Sequence, residues 1–163
     1  MSSESSDDLV ARLKSGIGKE VIYRAPDALG RPAIRMYALA IGDFNPVYTD
    51  AEFARNQGLQ DVMAPPTLIC DTWQYIDSDM DDDGDLYGRG EARELRGLRA
   101  GNDYEFFQPV HPDDVITAHW KIKDVYEKTG RSGNLVFQEI EVTFYNQREE
   151  MLARNTETHF YRL

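Results

Sequence analysis

The chain is 163 residues long, 41% hydrophobic and 29% charged, with a formal net charge of −11; the length suits one domain with a real core, and the acid excess argues against nucleic acid, whose phosphates call for Lys and Arg. A single cysteine, Cys70, excludes an internal disulfide and suits a reducing cytoplasm. No apolar run approaches the ~20 residues of a membrane span, and the polar, acidic start MSSESSDDLV lacks the basic-then-apolar build of a secretory signal.

With no repeats and no Pro/Gly/Ser-rich linker, residues 1–163 are expected to form a single domain, with 1–5 loose. SDDLVARLKSG predicts a short helix: Ser6 and two Asp open it, Leu9 and Leu13 lie one turn apart, and Gly16 stops it. EVIYR is a short strand. RPAIRMYALAIG predicts a second helix, with Pro32 in its first turn, Gly42 at its end, and Ile34, Tyr37, Ala38 and Ile41 on one face. A tight polar turn, DFNPVY, follows. Asp50 then caps a short helix, AEFARNQG. PPTLICDTWQYIDSDM is the most apolar helix, with Ile69, Trp73, Ile76 and Met80 at helical spacing, and it is expected to be the buried one.

The second half changes period. RELRGLRAGNDYEFF holds a strand. VITAHWKIKDVY alternates with Ile116, Ala118, Trp120 and Ile122 on one face, and NLVFQEIEVTFYN does so with Val136, Ile140, Val142 and Phe144. MLARNTETHFYRL alternates more weakly. EKTGRSGN and NQREE would join these three as an antiparallel meander. The class is therefore α+β, a helix packed on one face of an antiparallel sheet.

The stretches GDFNPVYTDAEFA, APPTLI and YEFFQPVHPDD, followed by three strands, resemble the MaoC-like hotdog hydratases and dehydratases. The likeness is greatest to the N-terminal, often non-catalytic, dehydratase module and spans roughly residues 15–163. It implies a hotdog fold, with a long central helix wrapped by a curved antiparallel sheet. It also implies pairing of two hotdogs, with no cofactor. The substrates it implies are acyl thioesters of coenzyme A or acyl carrier protein: water is added to a trans-2-enoyl thioester or removed from an (R)-3-hydroxyacyl thioester.

In active members of that superfamily the turn runs Gly-Asp-x-Asn-Pro-x-His. Gly42, Asp43, Asn45 and Pro46 match, but Tyr48 stands where the His belongs. A His near pKa 6.5 exchanges its proton at neutral pH and can share acid and base work with an Asp, whereas a phenol near pKa 10 holds its proton. Active members also carry a Gly at the start of the buried helix, whose N–H holds the thioester oxygen as charge develops. Here that position is Pro66, which has no N–H. The resemblance thus implies a degenerate site of Asp43, Asn45, Tyr48 and Pro66, kept as scaffold, in which Tyr48 closes the turn. Tyr48, Thr67 and Trp73 are the positions it suggests for substrate contact. The residues alone allow a plainer reading, in which Asp43 and Asn45 are ordinary turn formers and the prolines only open a helix.

Other candidates carry less. His111 lies in the loop PVHPDD, and His119 and His159 lie on alternating strands, where a surface or paired role outweighs a metal-ligand role. Cys70 is expected to be inert core. Asp71 beside it is the handle for a thioesterase, since some hotdog thioesterases use an acidic residue there. Arg89, Arg93, Arg96 and Arg99 could face the phosphates of a thioester, although a solvated face is the commoner reason for such a run. Asp79, Asp81, Asp83, Gly84 and Leu86 match the start of an EF-hand calcium loop, but its closing Glu is replaced by Gly90, with Glu91 one residue late. A solvated acidic loop is the expectation there.

The leading function is an acyl-thioester-binding, non-catalytic subunit of a two-subunit hydro-lyase, inactive alone, which lends its acyl tunnel to a catalytic hotdog. A self-sufficient enoyl-CoA hydratase using Asp43 is one rival. A hotdog that binds acyl thioesters without turnover is another, and a thioesterase comes third. The acyl group stays open between fatty, mycolic-like, steroidal and short branched, as does the choice between homodimer and heteromer. The long stretch between the buried helix and GNDYEFF leaves room for a remodelled tunnel and a bulky substrate. Calorimetry should find at most weak calcium binding to the chain; submicromolar affinity that disappears in Asp81→Ala would establish the calcium loop instead.

Overall fold

A computed structural model describes residues 6–71, 98–130 and 133–162. Helix α1 (Ser6–Ser15) leads into strand β1 (Glu20–Arg24), helix α2 (Arg31–Ala40), a 3-10 turn at Pro46–Tyr48, and helices α3 (Ala51–Asn56) and α4 (Leu68–Asp71). Strands β2 (Leu98–Phe106), β3 (Thr117–Gly130), β4 (Gly133–Tyr145) and β5 (Met151–Arg162) complete the description. All five strands join one antiparallel sheet in the order β1-β3-β4-β5-β2. The α+β class and the meander of β3, β4 and β5 are therefore as the alternation predicts. Among the described residues no helix is long and apolar enough to cross a membrane.

Local chemistry explains the helix ends. Asp50 Oδ1 accepts the N–H groups of Glu52 and Phe53 and caps α3. Pro32 sits in the first turn of α2, where its missing N–H costs no hydrogen bond. Gly30 and Gly42 flank α2 with φ of 78° and 72°, the left-handed region that glycine enters without a side-chain penalty. Arg31 donates to both carboxylate oxygens of Asp61, at 2.8 and 2.7 Å, and ties the start of α2 to the segment before α4. That fork holds the Asp61 carboxyl below its usual range.

Pairing register puts one set of side chains on the inner face. Ala118 lies opposite Phe144 and Trp120 opposite Val142, while Phe144 lies opposite Ala153 on the other side. This end packs on Ile34 and Ala38 of α2, Tyr48 and Leu68. The far end, Val125, Val136 and Tyr161, is covered by Val10 and Leu13 of α1. A register shift between Ile122 and Asp124 changes the phase, so the buried series runs through 118 and 120 and resumes at Val125.

The weak alternation of β5 has a cause in polar burial. Asn155 and Glu157 take inward positions and are 1% and 2% exposed. Asn155 Nδ2 donates to Asn102 Oδ1 and Glu157 Oε1, both at 3.2 Å. Arg99 and His159 reach the other Glu157 oxygen at 3.4 and 3.2 Å. Arg99 therefore answers an interior carboxylate with one nitrogen, while its side chain stays half exposed. Ile41 also departs from expectation: it is the C-cap of α2 and half exposed, because the helix stops at Ala40.

A second polar group fastens the loop PVHPDD. Asp114, fully buried, accepts the His111 N–H at 2.8 Å and Arg148 at 2.9 Å, which binds the loop to the β4–β5 turn. Of the predicted buried helix, Ile69 and Cys70 are buried as expected. Trp73, Ile76, Met80, the acidic loop with Asp79, Asp81 and Asp83, and Arg89, Arg93 and Arg96 lie outside the described residues. Phe144→Ala is expected to cost about 3–5 kcal/mol in denaturant unfolding, because Phe144 is fully buried and its removal leaves a cavity between sheet and helix. A loss below about 1 kcal/mol would contradict this packing.

Candidate functional site

The motif turn is built by its own polar groups. After left-handed Gly42, the Asp43 N–H donates back to Ala38 O at 2.9 Å. Asp43 Oδ1 accepts the Asn45 N–H at 3.1 Å, and Asn45 Oδ1 accepts the Val47 N–H at 3.1 Å. These two side chains therefore serve the backbone, as their preference for turns predicts. Tyr48 ends the 3-10 turn, and its ring enters the core beside Val62, Ala64 and Leu68. Burial, then the neighbouring Asp43 carboxylate, then the phenol's hydrogen bond to that carboxylate, raise the Tyr48 pKa above the ordinary phenol value. At neutral pH the site holds a protonated phenol against a carboxylate, a donor and not a base.

The stretch APPTLI comes alongside through two backbone bonds, from Met63 N–H to Val47 O at 3.2 Å and from Ala64 N–H to Val110 O at 2.8 Å. Pro65 is buried and Pro66 exposed, and α4 starts after them at Leu68. Position 66 offers no N–H to a thioester oxygen. Thr67 turns its hydroxyl to the Tyr37 hydroxyl at 2.8 Å, a link across thirty residues that spacing alone does not reveal. The side chain of Asp71 and all of Trp73 lie outside what the structure describes.

A cavity of about 410 Å³ opens between α2 and the sheet, lined by none of the turn residues 43–48. Ala33, Met36, Tyr37 and Ala40 come from the helix, Tyr23 and Ala118 from the strands, and Leu68 and Ile69 from the start of α4. Such a volume with an apolar lining is typical of a small-molecule site. Among the described residues, the ionisable side chains that line it are the two tyrosines. The sequence marks α2 as a packing helix; that its alanines leave space becomes visible only when the sheet opposite is in place.

His119 and His159 have partners on the sheet, in keeping with the surface or paired roles expected of them. His119 Nδ1 lies 3.6 Å from Glu20 Oε1 and its ring packs edge-on against Tyr145. His159 meets Glu157. His111 Nδ1 donates to Val62 O at 3.1 Å, since a carbonyl can only accept. Among the described residues no three His, Cys, Asp or Glu side chains gather in a way that could hold a metal ion.

Residues 15–155 match the family described as FAS1-like, dehydratase domain region. The chain belongs to this family. A UPF0336 protein of Streptomyces coelicolor is 32% identical over 117 residues, which cover 72% of this chain and 75% of that one. A protein of Thermomonospora curvata named "Probable enoyl-CoA hydratase alpha subunit" is 27% identical over 160 residues, 91% of this chain and 50% of the subunit. Among solved structures, a chain of the ChsH1-ChsH2 complex from Mycobacterium tuberculosis superposes with a TM-score of 0.78 at 20% identity, covering 96% of this chain and 90% of its own length. The fold is a hotdog, as the three motifs imply, and it is shared with a solved structure described as a MaoC-like dehydratase, at a TM-score of 0.66 and 19% identity.

The Tyr48 environment sets a measurable titration. A phenol whose proton is held more tightly in the folded chain than in the unfolded one adds stability that is complete below about pH 10. That contribution is lost as pH rises through the folded value. Ultraviolet titration of the folded chain should show a phenol ionising above the ordinary range that is absent in Tyr48→Phe. Asp43→Asn should bring it down only partway, since burial is the larger cause. A Tyr48 that titrates normally would remove the basis for this geometry.

Proposed function

We propose that this chain, residues 1–163 acting as one domain, is the acyl-thioester-binding and non-catalytic half of a two-subunit MaoC-like hydratase or dehydratase. One observation carries the reading: a buried phenol, Tyr48, ends the motif turn at the position where a proton-exchanging group is needed. Hydration of an enoyl thioester needs a base to take a proton from water and an acid to protonate C2. Tyr48 keeps its proton, Asp43 is engaged by the turn and the phenol, and position 66 gives no oxyanion donor. The missing groups then come from a second hotdog carrying the intact Gly-Asp-x-Asn-Pro-x-His turn.

The partner reading has support of two kinds. β2 is an edge strand with Leu98, Phe106 and the adjoining Phe107 exposed, and an edge of that kind invites pairing or cover. The Thermomonospora curvata relative is named as a subunit, and the Mycobacterium tuberculosis structure is that of a complex. In the proposed assembly the partner holds the reacting carbons, while Tyr48, Thr67 and the α2 cavity of this chain border the acyl end. The cytoplasm is the compartment that supplies such thioesters, and acyl-CoA and acyl carrier protein both remain in view as carriers.

The purified chain is expected to hydrate crotonyl-CoA or longer enoyl-CoA thioesters poorly or not at all. Co-expression with a small hotdog bearing the intact motif should restore turnover. In that complex Tyr48→Phe should cost about 1 kcal/mol of rate, the contribution of a positioning hydrogen bond, and removal of the partner's motif His far more. Turnover by the chain alone near ~10 per second, abolished by Asp43→Ala, would make it a self-sufficient hydratase. A larger loss from Tyr48→Phe than from the partner's His would make this chain the catalyst.

A further inference from the structure

We infer that the outer face of the sheet carries a second binding site, for a small zwitterion with a flat apolar body, of which an aromatic amino acid is the simplest kind. A polar cavity of about 460 Å³ lies there. Its floor follows from register: Arg24, Thr117 and Tyr145 stand in a single row across β1, β3 and β4. Thr117 is the short member, and it leaves a depression between an arginine and an aromatic ring. His119, two residues on and therefore on the same face, closes one side, with its ring centroid 5.1 Å from that of Tyr145. The β4–β5 turn closes the other side through Gln147 and Glu149. Tyr23, Ile116 and Ala118, the alternate residues of the same strands, line the α2 cavity on the inner face, where α4 also packs. The thickness of the sheet separates the two spaces.

The polar groups of the lining divide into two sets. Gln147 is engaged by the fold: its Oε1 accepts the Val115 N–H at 2.9 Å and its Nε2 donates to Asp113 O at 3.2 Å. Asn146 Oδ1 accepts the N–H groups of Arg148 and Glu150, and His119 faces Glu20 through Nδ1. These bonds fix the walls. The Arg24 guanidinium, the Thr117 and Tyr145 hydroxyls and the Glu149 carboxylate form the other set, and they make no hydrogen bond or ion pair with another described residue. A guanidinium presents a fork of donors that matches a carboxylate, and a carboxylate accepts from an ammonium. One charge of each sign, on β1 and beyond the end of β4, selects a ligand that carries both. A simple anion would meet Glu149, and a simple cation would meet Arg24. The rings of Tyr145 and His119 offer apolar area to a flat body held between the charges. Glu149 supplies an independent observation. Among the described residues it is the one non-glycine with positive φ, 62°, at the last position of the three-residue loop 147–149, where glycine is favoured. A glutamate there strains the backbone, and what its side chain does is line the cavity.

NMR titration of the full chain with L-phenylalanine, 3-phenylpropanoate and 2-phenylethylamine tests this, since the second and third probes keep the ring and one charge each. L-Phenylalanine is expected to bind with a millimolar or tighter Kd, and each single-charge analogue at least about tenfold more weakly, the effect of losing one charged hydrogen bond. Arg24→Gln should erase the preference for phenylalanine over phenylethylamine. Glu149→Gly should erase the preference over phenylpropanoate and, by releasing backbone strain, raise Tm by about 2–4 °C. Glu149→Asn, which removes the charge but tolerates the left-handed region, repeats the binding test should the glycine loosen the turn. A wild-type chain that binds none of the three at millimolar concentration, or binds all three equally, overturns the inference. So does wild-type affinity for phenylalanine in Arg24→Gln or in both Glu149 variants.

Discussion

The pairing of β3 with β4 and of β4 with β5 is the constraint on which this chain depends. The β3–β4 ladder runs from Thr117 opposite Tyr145 to Gly130 opposite Gly133, and it leaves one apolar face that must be covered. A slip of one residue would turn Ala118, Val142 and Phe144 outward together. Helix α2, the 3-10 turn and the start of α4 meet that face at one end, and α1 meets it at the other. The motif turn has its shape because Tyr48 and Leu68 must both reach the surface presented by Phe144 and Ala153. The shape of the site thus follows from covering the sheet.

The difference between Tyr48 and the histidine that the motif resemblance places at this position is small in atoms and large in proton affinity. An imidazole and a phenol both fill a flat, aromatic slot at the end of the turn, and both can bond to Asp43. Only the imidazole gains and loses a proton near neutral pH. Burial and the adjacent carboxylate push the phenol further from that range. A neighbouring carboxylate raises the proton affinity of either ring, which holds a phenol neutral but makes an imidazole a better base. Gly42, Asp43 and Asn45 all do structural work in the turn that ends at Tyr48.

Much of this was legible from pattern. The caps at Asp50 and Pro32, the alternation of β3 and β4, and the motif that led to the hotdog are local signals, carried by residues a few positions apart. What escaped was non-local. The bulge after Ile122 depends on how β3 fits its neighbour and leaves little trace in the alternation of either strand. Asn155 and Glu157 read as solvent-facing by residue type, yet they are interior because Asn102, Arg99 and His159 supply their partners from adjacent positions in the sheet. The Tyr37–Thr67 bond and the α2 cavity likewise join segments that no short window of sequence brings together.

The two left-handed glycines beside α2 have a consequence for how this site can diverge. Gly42 has open space where a Cβ would stand, and Gly30 would meet only ordinary contacts, so crowding does not restrict either position. Handedness does: an L-residue at 30 or 42 would strain the backbone and favour a different starting or stopping point for the helix. The length of the cavity wall is therefore written in two positions that do not line the cavity. Alanine-to-larger changes along α2 adjust the bore of the cavity, and changes at its flanking glycines adjust its span, so the two dimensions can vary independently within one fold.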